Sequence, residues 1–343
     1  LKPIVSGSYT LGLKTDDGCK LFLDGKKLID SWTERSAQMD HAVIDLEAGK
    51  EYHLQVEYFD NGGQCFAGLY WKAPQIDNTN RLAQYGDAGK AARECDVTVA
   101  VLGINKSIER EGQDRYSLEL PLDQQEFIKE LYKVNPNTVV VLVAGSSLAV
   151  NWMDEHIPAI LNAWYPGEQG GSAVAEVLFG DYNPGGRLPL TYYNSLDELP
   201  AFDDYSVKNR TYQYFEGKPL YEFGYGLSYT KFKYKNKGIT VGDEVINVDF
   251  EISNTGKYSG DEVAQVYVRY PETGTFMPIK QLRGFSRVNV DKGKTKKVTI
   301  SIPKKDLRYW DEKSGRFVTP EGQYIFMVGA SSEDIRYQET VEL

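Results

Sequence analysis

The sequence is poor in the residues that build metal and thiol chemistry. It has three cysteines (Cys19, Cys65 and Cys95) and three histidines (His41, His53 and His156). The cysteines form no C-x-x-C pair and are odd in number, so neither a zinc site nor a disulfide framework is indicated. The histidines are too scattered for a His-based triad or cluster, and no cofactor is called for. Basic excess is also lacking. Lys and Arg total 39 against 49 Asp and Glu, a net charge of −10, and a nucleic-acid partner needs the opposite sign on its binding face. No apolar run approaches the ~20 residues that span a bilayer. There is no internal repeat, no low-complexity tract and no signal-like segment at Leu1-Lys2-Pro3.

What is abundant is aromatic: 24 Tyr, 14 Phe and 5 Trp. Amphipathic rings suit the apolar C–H faces and hydroxyls of sugars, and they also pack β-sheets. At 343 residues the chain exceeds one ordinary domain.

Hydrophobic periodicity divides it. Residues 1–74 read as antiparallel β-structure. Tyr9, Leu11 and Leu13 alternate with small or polar residues, Thr15-Asp16-Asp17-Gly18 makes a turn, and Asp24-Gly25 follows Leu21-Phe22-Leu23 as a hairpin signal. Tyr52, Leu54, Val56 and Tyr58 alternate before Asn61-Gly62-Gly63, and a return strand ends at Tyr70-Trp71-Lys72. Paired Asp16 and Asp17 could hold Ca²⁺, but side-chain-to-backbone bonds explain T-D-D-G without a metal, and no metal site is expected.

From about Asn80 the period changes. Val97–Gly103 and Val139–Ala144 are continuous apolar runs, the mark of strands buried on both faces. Between them Pro121–Lys133 reads as a helix with Phe127, Ile128 and Leu131 on one stripe, and Gly170–Phe179 reads as another, capped by Gly180. Residues 75–195 are therefore expected to form an α/β sandwich with a mostly parallel sheet, whose strand-end loops bind ligand. Residues 196–232 show no period and read as a linker. Residues 233–343 resume alternation at Ile246, Val248, Phe250 and Ile252, at Ala264, Val266 and Val268, at Val298, Ile300 and Ile302, and at Tyr324, Phe326 and Val328. That pattern is a small β-sandwich.

One loop concentrates charge. Ile104–Pro121 begins where the first buried strand ends and holds Glu109, Arg110, Glu111, Gly112, Asp114 and Arg115 without helical or strand period. A solvated surface loop or a catalytic loop would each look this way.

Glu111-Gly112-Gln113-Asp114-Arg115 resembles the E-G-x-D-R segment of glycoside hydrolase family 3 β-glucosidases. Further segments agree in family order. Ala163–Gly171 resembles W-x-x-G-x-x-x-G, Gly180–Leu190 resembles G-D-x-N-P-x-G-[KR]-L-P, and Pro219–Phe232 resembles the stretch leading into a fibronectin type III-like domain. Residues 1–74 resemble the latter half of a protective-antigen-type β module, through Thr15-Asp16-Asp17-Gly18, Leu23-Asp24-Gly25 and Val56–Gly63.

The resemblance implies a retaining exo-β-glycosidase of β-glucosidase type, acting on β-linked oligosaccharides or glycosides in a periplasmic or secreted setting. Glu111 is then the general acid/base, with Glu109 as the competing candidate two residues earlier. Tyr165, Glu168 and Arg115 are candidate substrate contacts. Arg115 could instead pair with Asp114 to hold the turn, and Trp164 could shape the pocket or simply pack. The family's nucleophile is an Asp of an N-terminal (β/α)8 barrel, and no run of βα units here is long enough for one. Asp203-Asp204-Tyr205 superficially resembles the nucleophile segment but lies in the linker. The expected partner is therefore a barrel-bearing polypeptide of the same enzyme. Without it, the apolar faces at Leu11, Leu13, Phe22 and Val56 are expected to be left bare. Arg210–Phe215 also looks like members acting on β-xylosides, which keeps a β-xylosidase open. A non-catalytic carbohydrate-binding fragment is the reading of a different class.

Overall fold

A computed structural model describes residues 1–3, 5–62, 65–74, 85–201 and 203–343. The chain divides into two compact units, residues 1–98 with 126–137, and residues 99–125 with 138–343. Each is described by itself.

In the first unit, β1 (Gly7–Thr15), β2 (Cys19–Leu23), β3 (Lys26–Ser31), β4 (Gln38–Leu46), β5 (Leu54–Tyr58) and β6 (Ala67–Lys72) form two antiparallel sheets, ordered β4-β1-β6 and β3-β2-β5. The turn at Asp24-Gly25 closes β2 onto β3 as the sequence predicts, with both residues at positive φ. The T-D-D-G turn is held by Asp17, whose buried carboxylate accepts from the backbone N–H of Arg35 at 3.0 Å and of Asn61 at 2.7 Å. Each carboxylate oxygen thus accepts one backbone N–H, from segments 18 and 44 positions away rather than from within the turn.

The expectation of bare apolar faces is corrected for Leu11 and Leu13. Both are 1% exposed, in a core with Tyr9, Leu21, Ile29 and Leu46. The sheets close over their own interior, because every second residue of β1 points inward. Phe22 is half-buried, and Val56 is exposed, as that expectation had it for Val56. In the same unit, α1 (Ala88–Glu94) is tied to the end of a later helix. The Nδ2 of Asn135 donates to the carbonyls of Ala92 at 2.9 Å and Cys95 at 2.8 Å.

The α/β region contributes β7 (Thr98–Gly103), α2 (Leu122–Val134), β8 (Thr138–Val143), α3 (Asn151–His156), β9 (Ala159–Asn162) and α4 (Gly170–Phe179), with a sheet ordered β7-β8-β9. β8 and β9 are parallel. β8 is buried nearly throughout, as its continuous apolar run predicts, but β7 is not. Val99 and Val101 are exposed whereas Ala100 and Leu102 are buried. Among the described residues β7 is an edge strand, and the face that carries Val99 and Val101 has no layer packed over it, while Ala100 and Leu102 face the covered side. On α2, Ile128 and Leu131 are the buried stripe, and α4 ends at Gly180 in the left-handed conformation with φ +83°. The domain boundary at 74/75 and the change of period at Asn80 lie outside the described residues.

Beyond the short helix α5 (Thr211–Tyr214), β10 (Phe232–Val241), β11 (Val245–Asn254), β12 (Gly260–Arg269), β13 (Gln281–Val290), β14 (Thr295–Pro303), β15 (Tyr309–Asp311), β16 (Arg316–Val318), β17 (Gln323–Gly329) and β18 (Ile335–Glu342) build the C-terminal sandwich. Its sheets run β10-β11-β14 and β13-β12-β17-β18, all antiparallel, with β15-β16 as a separate hairpin. Every residue of the four predicted alternations, from Ile246 to Val328, lies in its core. Among the described residues no helix is long and apolar enough to cross a membrane.

Candidate active site

The charged loop starts from a constrained point. Gly103 ends β7, and a Cβ there would lie 1.8 Å from the Val143 carbonyl oxygen, so only glycine lets the two strands approach. The Gln124 carboxamide grips Gly103 on both sides, donating to its carbonyl and accepting from its N–H, each at 2.8 Å. The chain then makes one helical turn, with the N–H of Ile108 and of Glu109 both reaching the Asn105 carbonyl, at 2.9 and 3.1 Å.

Glu111 and Gly112 form the tip of a two-residue hairpin. The N–H of Arg110 donates to the carbonyl of Gln113 at 3.1 Å, and the N–H of Gln113 donates back at 2.9 Å. Gly112 sits at φ +75°, where glycine carries no steric penalty. Glu111 is exposed.

Glu109 is the opposite case. Its Oε2 lies 2.9 Å from the Arg115 Nε and accepts from the Ser146 hydroxyl at 2.6 Å. Its Oε1 faces the Tyr165 hydroxyl at 3.4 Å. Arg115 also donates from Nη2 to the Ser147 carbonyl at 2.8 Å. The Glu109 and Arg115 side chains are only 19% and 10% exposed.

Tyr165 is half-exposed and lies against Gly145, where a Cβ would come within 2.4 Å of its ring. The preceding Trp164 adopts φ +55°, an uncommon left-handed conformation for a large residue. Nearby, the buried Tyr192 hydroxyl accepts from Asn162 at 3.1 Å, and burial pushes it up to about 12, against weaker opposing pulls from Asn162 and Arg115.

The structure therefore brings Arg115 and Tyr165 together at Glu109 and leaves Glu111 at the free tip. Glu168 is exposed just ahead of α4; among the described residues no hydrogen bond or ion pair joins it to this cluster. Arg115 pairs with Glu109 rather than with Asp114. Sequence reasoning missed Ser146, which lies 37 positions from its partner in a segment without charge. It also missed Tyr116, 98% exposed in the same loop as Glu111. An aromatic inside a charged aperiodic loop was the available signal. In the linker, Asp204 accepts from the Ser206 N–H at 2.8 Å, a local turn that holds its carboxyl below the ordinary range. Among the described residues no three His, Cys, Asp or Glu side chains are grouped to hold a metal.

A three-stranded α/β sheet with a carboxylate-bearing strand-end loop is followed by an antiparallel β-sandwich. The sequence profile of the glycosyl hydrolase family 3 C-terminal domain matches residues 25–229, and that of the fibronectin type III-like domain matches residues 262–332. The chain belongs to glycosyl hydrolase family 3. It is 34% identical to a xylan 1,4-β-xylosidase from Xylanibacter ruminicola, over 96% of this chain and 39% of that protein. It is 31% identical to a β-glucosidase from Rhizobium radiobacter, over 99% of this chain and 45% of that protein. Among solved structures, a β-glucosidase from Kluyveromyces marxianus in complex with glucose superposes with a TM-score of 0.78 at 30% identity, covering 100% of this chain and 43% of that one. The chain thus spans less than half the length of these relatives.

Proposed function

We propose that this chain supplies the general acid/base, Glu111, of a retaining exo-β-glycosidase that removes a non-reducing-end glucose by double displacement. The observation that carries this reading is the contrast within the loop: Glu111 is exposed at a hairpin tip, whereas Glu109 has its oxygens committed to Arg115, Ser146 and Tyr165. A group that must give a proton to a leaving oxygen and later take one from water has to reach the substrate. Glu111 is free to do so.

In this mechanism a carboxylate attacks the anomeric carbon while Glu111 transfers its proton to the departing oxygen. Water, deprotonated by the Glu111 carboxylate, then attacks the same carbon and releases the nucleophile. Retention places the two carboxyl groups about 5–5.5 Å apart. The nucleophile belongs to an Asp of a (β/α)8 barrel outside these residues, on the same polypeptide or a companion; among the described residues the parallel β8-β9 pair sits in a sheet of three strands. Tyr165 and Glu168 are the substrate contacts this reading retains.

The test uses the enzyme that carries this chain. Glu111→Gly is expected to lose about 10²–10⁴-fold in turnover of natural glycosides, to lose far less with activated aryl glycosides, and to regain rate with azide while forming the β-glycosyl azide. The 343 residues alone are expected to match the buffer blank. Full activity of Glu111→Gly would overturn the assignment. A second reading, β-xylosidase, is favoured by the similarity to the Xylanibacter ruminicola protein named a xylan 1,4-β-xylosidase. The ratio of kcat/KM for aryl β-D-glucoside and aryl β-D-xyloside decides between them.

A further inference from the structure

Glu111 is exposed at the hairpin tip. Among the described residues no atom outside the turn lies within 4 Å of where a Gly112 Cβ would be, and the turn itself is held by the Arg110–Gln113 backbone pair and by the Gln113 carboxamide, which donates to the Ser107 carbonyl at 3.2 Å. The base of the hairpin is Glu109 on the entering arm and Arg115 on the leaving one, 2.9 Å apart and largely buried. A buried ion pair is seldom a net source of stability compared with apolar packing, and its best-attested use is fixing one arrangement among several. Here the pair also ties down two neighbouring loops. Ser146 and Ser147, just after β8, hold Glu109 and Arg115 respectively, and Tyr165, shortly after β9, faces the other oxygen of Glu109. One carboxylate thus joins the loops that leave β7, β8 and β9. Arg115 keeps its Nη1 buried and, among the described residues, without a hydrogen-bond partner.

We propose that Glu109 is the positioning residue of the acid/base hairpin: clamped by Arg115 and Ser146, it sets where the Glu111 carboxyl group meets the glycosidic oxygen. This rests on Glu111 being the acid/base. Displacing a reacting group by about 1 Å can cost 10²-fold in rate, and loss of the clamp frees the hairpin by that order.

The experiment compares Glu109→Gln, Ser146→Ala, Glu109→Gly and Glu111→Gly in the enzyme that carries this chain, using aryl β-glucosides of graded leaving-group ability. Glu109→Gln should lower kcat for poor leaving groups by about 10²-fold with KM within about threefold, because the defect is felt in the transition state. Azide should not restore it. Amide hydrogen exchange at Gln113 should speed up in the same variant, which a general loss of folding would not confine to that turn. Ser146→Ala should show a smaller effect of the same kind. If Glu109→Gln fails to fold, Ser146→Ala and Arg115→Lys carry the test. Wild-type kcat in Glu109→Gln and Ser146→Ala, with Glu111→Gly still rescued by azide, overturns the positioning role and leaves the acid/base assignment intact. Azide rescue of Glu109→Gly with Glu111→Gly fully active overturns the acid/base assignment itself.

Discussion

Arg187 and Glu262 lie 3.1 Å apart, with side chains only 9% and 4% exposed. The pair joins the G-D-Y-N-P-G-G-R segment to β12 of the C-terminal sandwich, and the other oxygen of Glu262 accepts from the Tyr234 hydroxyl at 2.7 Å. Removing one member leaves a buried charge without compensation. Glu262→Gln keeps the shape and is expected to cost about 3–5 kcal/mol of stability. The double replacement Arg187→Met with Glu262→Leu should cost far less. Urea unfolding of all three proteins measures both values.

Gly103→Ala tests the entry to the charged loop. Its Cβ would meet the backbone at Val143, and neither strand can retreat without losing its ladder. We expect a loss of at least about 3 kcal/mol, read from the denaturant midpoint.

Gly145→Ala addresses Tyr165 instead. Here the obstacle is a half-exposed ring that can swing away, so stability should change little. If Tyr165 lies under the sugar, KM should rise by up to about tenfold; because the same Cβ would also lie 3.3 Å from the Glu109 Oε1, kcat should fall with it, by less than in Glu109→Gln. An unchanged KM would remove Tyr165 from the binding site.

Alkali should weaken the fold through its buried tyrosines. Tyr192 is raised by burial from 10.0 to about 12, and Tyr234 and Tyr221 are raised further, mainly by burial and then by Glu262 and Asp154. Below pH 10 these hydroxyls are protonated whether the chain is folded or not, and the stability is fully present. Above it the unfolded chain releases protons that the folded chain keeps, so stability falls as pH rises from 10 towards 12. Melting temperature against pH, together with tyrosinate absorbance, shows whether ionisation and unfolding coincide.

Local features were readable from the sequence, and long-range ones were not. The Asp24-Gly25 hairpin, the helix Gly170–Phe179 with its Gly180 cap, and the alternations from Ile246 to Val328 each depend on neighbours a few positions away. The pairing of Glu109 with Ser146 and Tyr165 spans 37 and 56 positions, and no periodicity carries that information. The exposure of Val99 and Val101 was misjudged for a related reason. An apolar run states that a strand suits a buried sheet, but whether both of its faces are covered depends on the layers packed above and below, which the run does not encode.

The hairpin tip also bears on how a mutational library of this loop would read. Space around a Gly112 side chain is open, yet the backbone there turns at φ +75°, which a side chain resists with a penalty of about 1–2 kcal/mol. Most replacements would therefore relocate Glu111 without touching a ligand or upsetting the core. In an activity screen the position would score as though it bound substrate, and only a conformationally tolerant residue such as asparagine would expose it as a hinge.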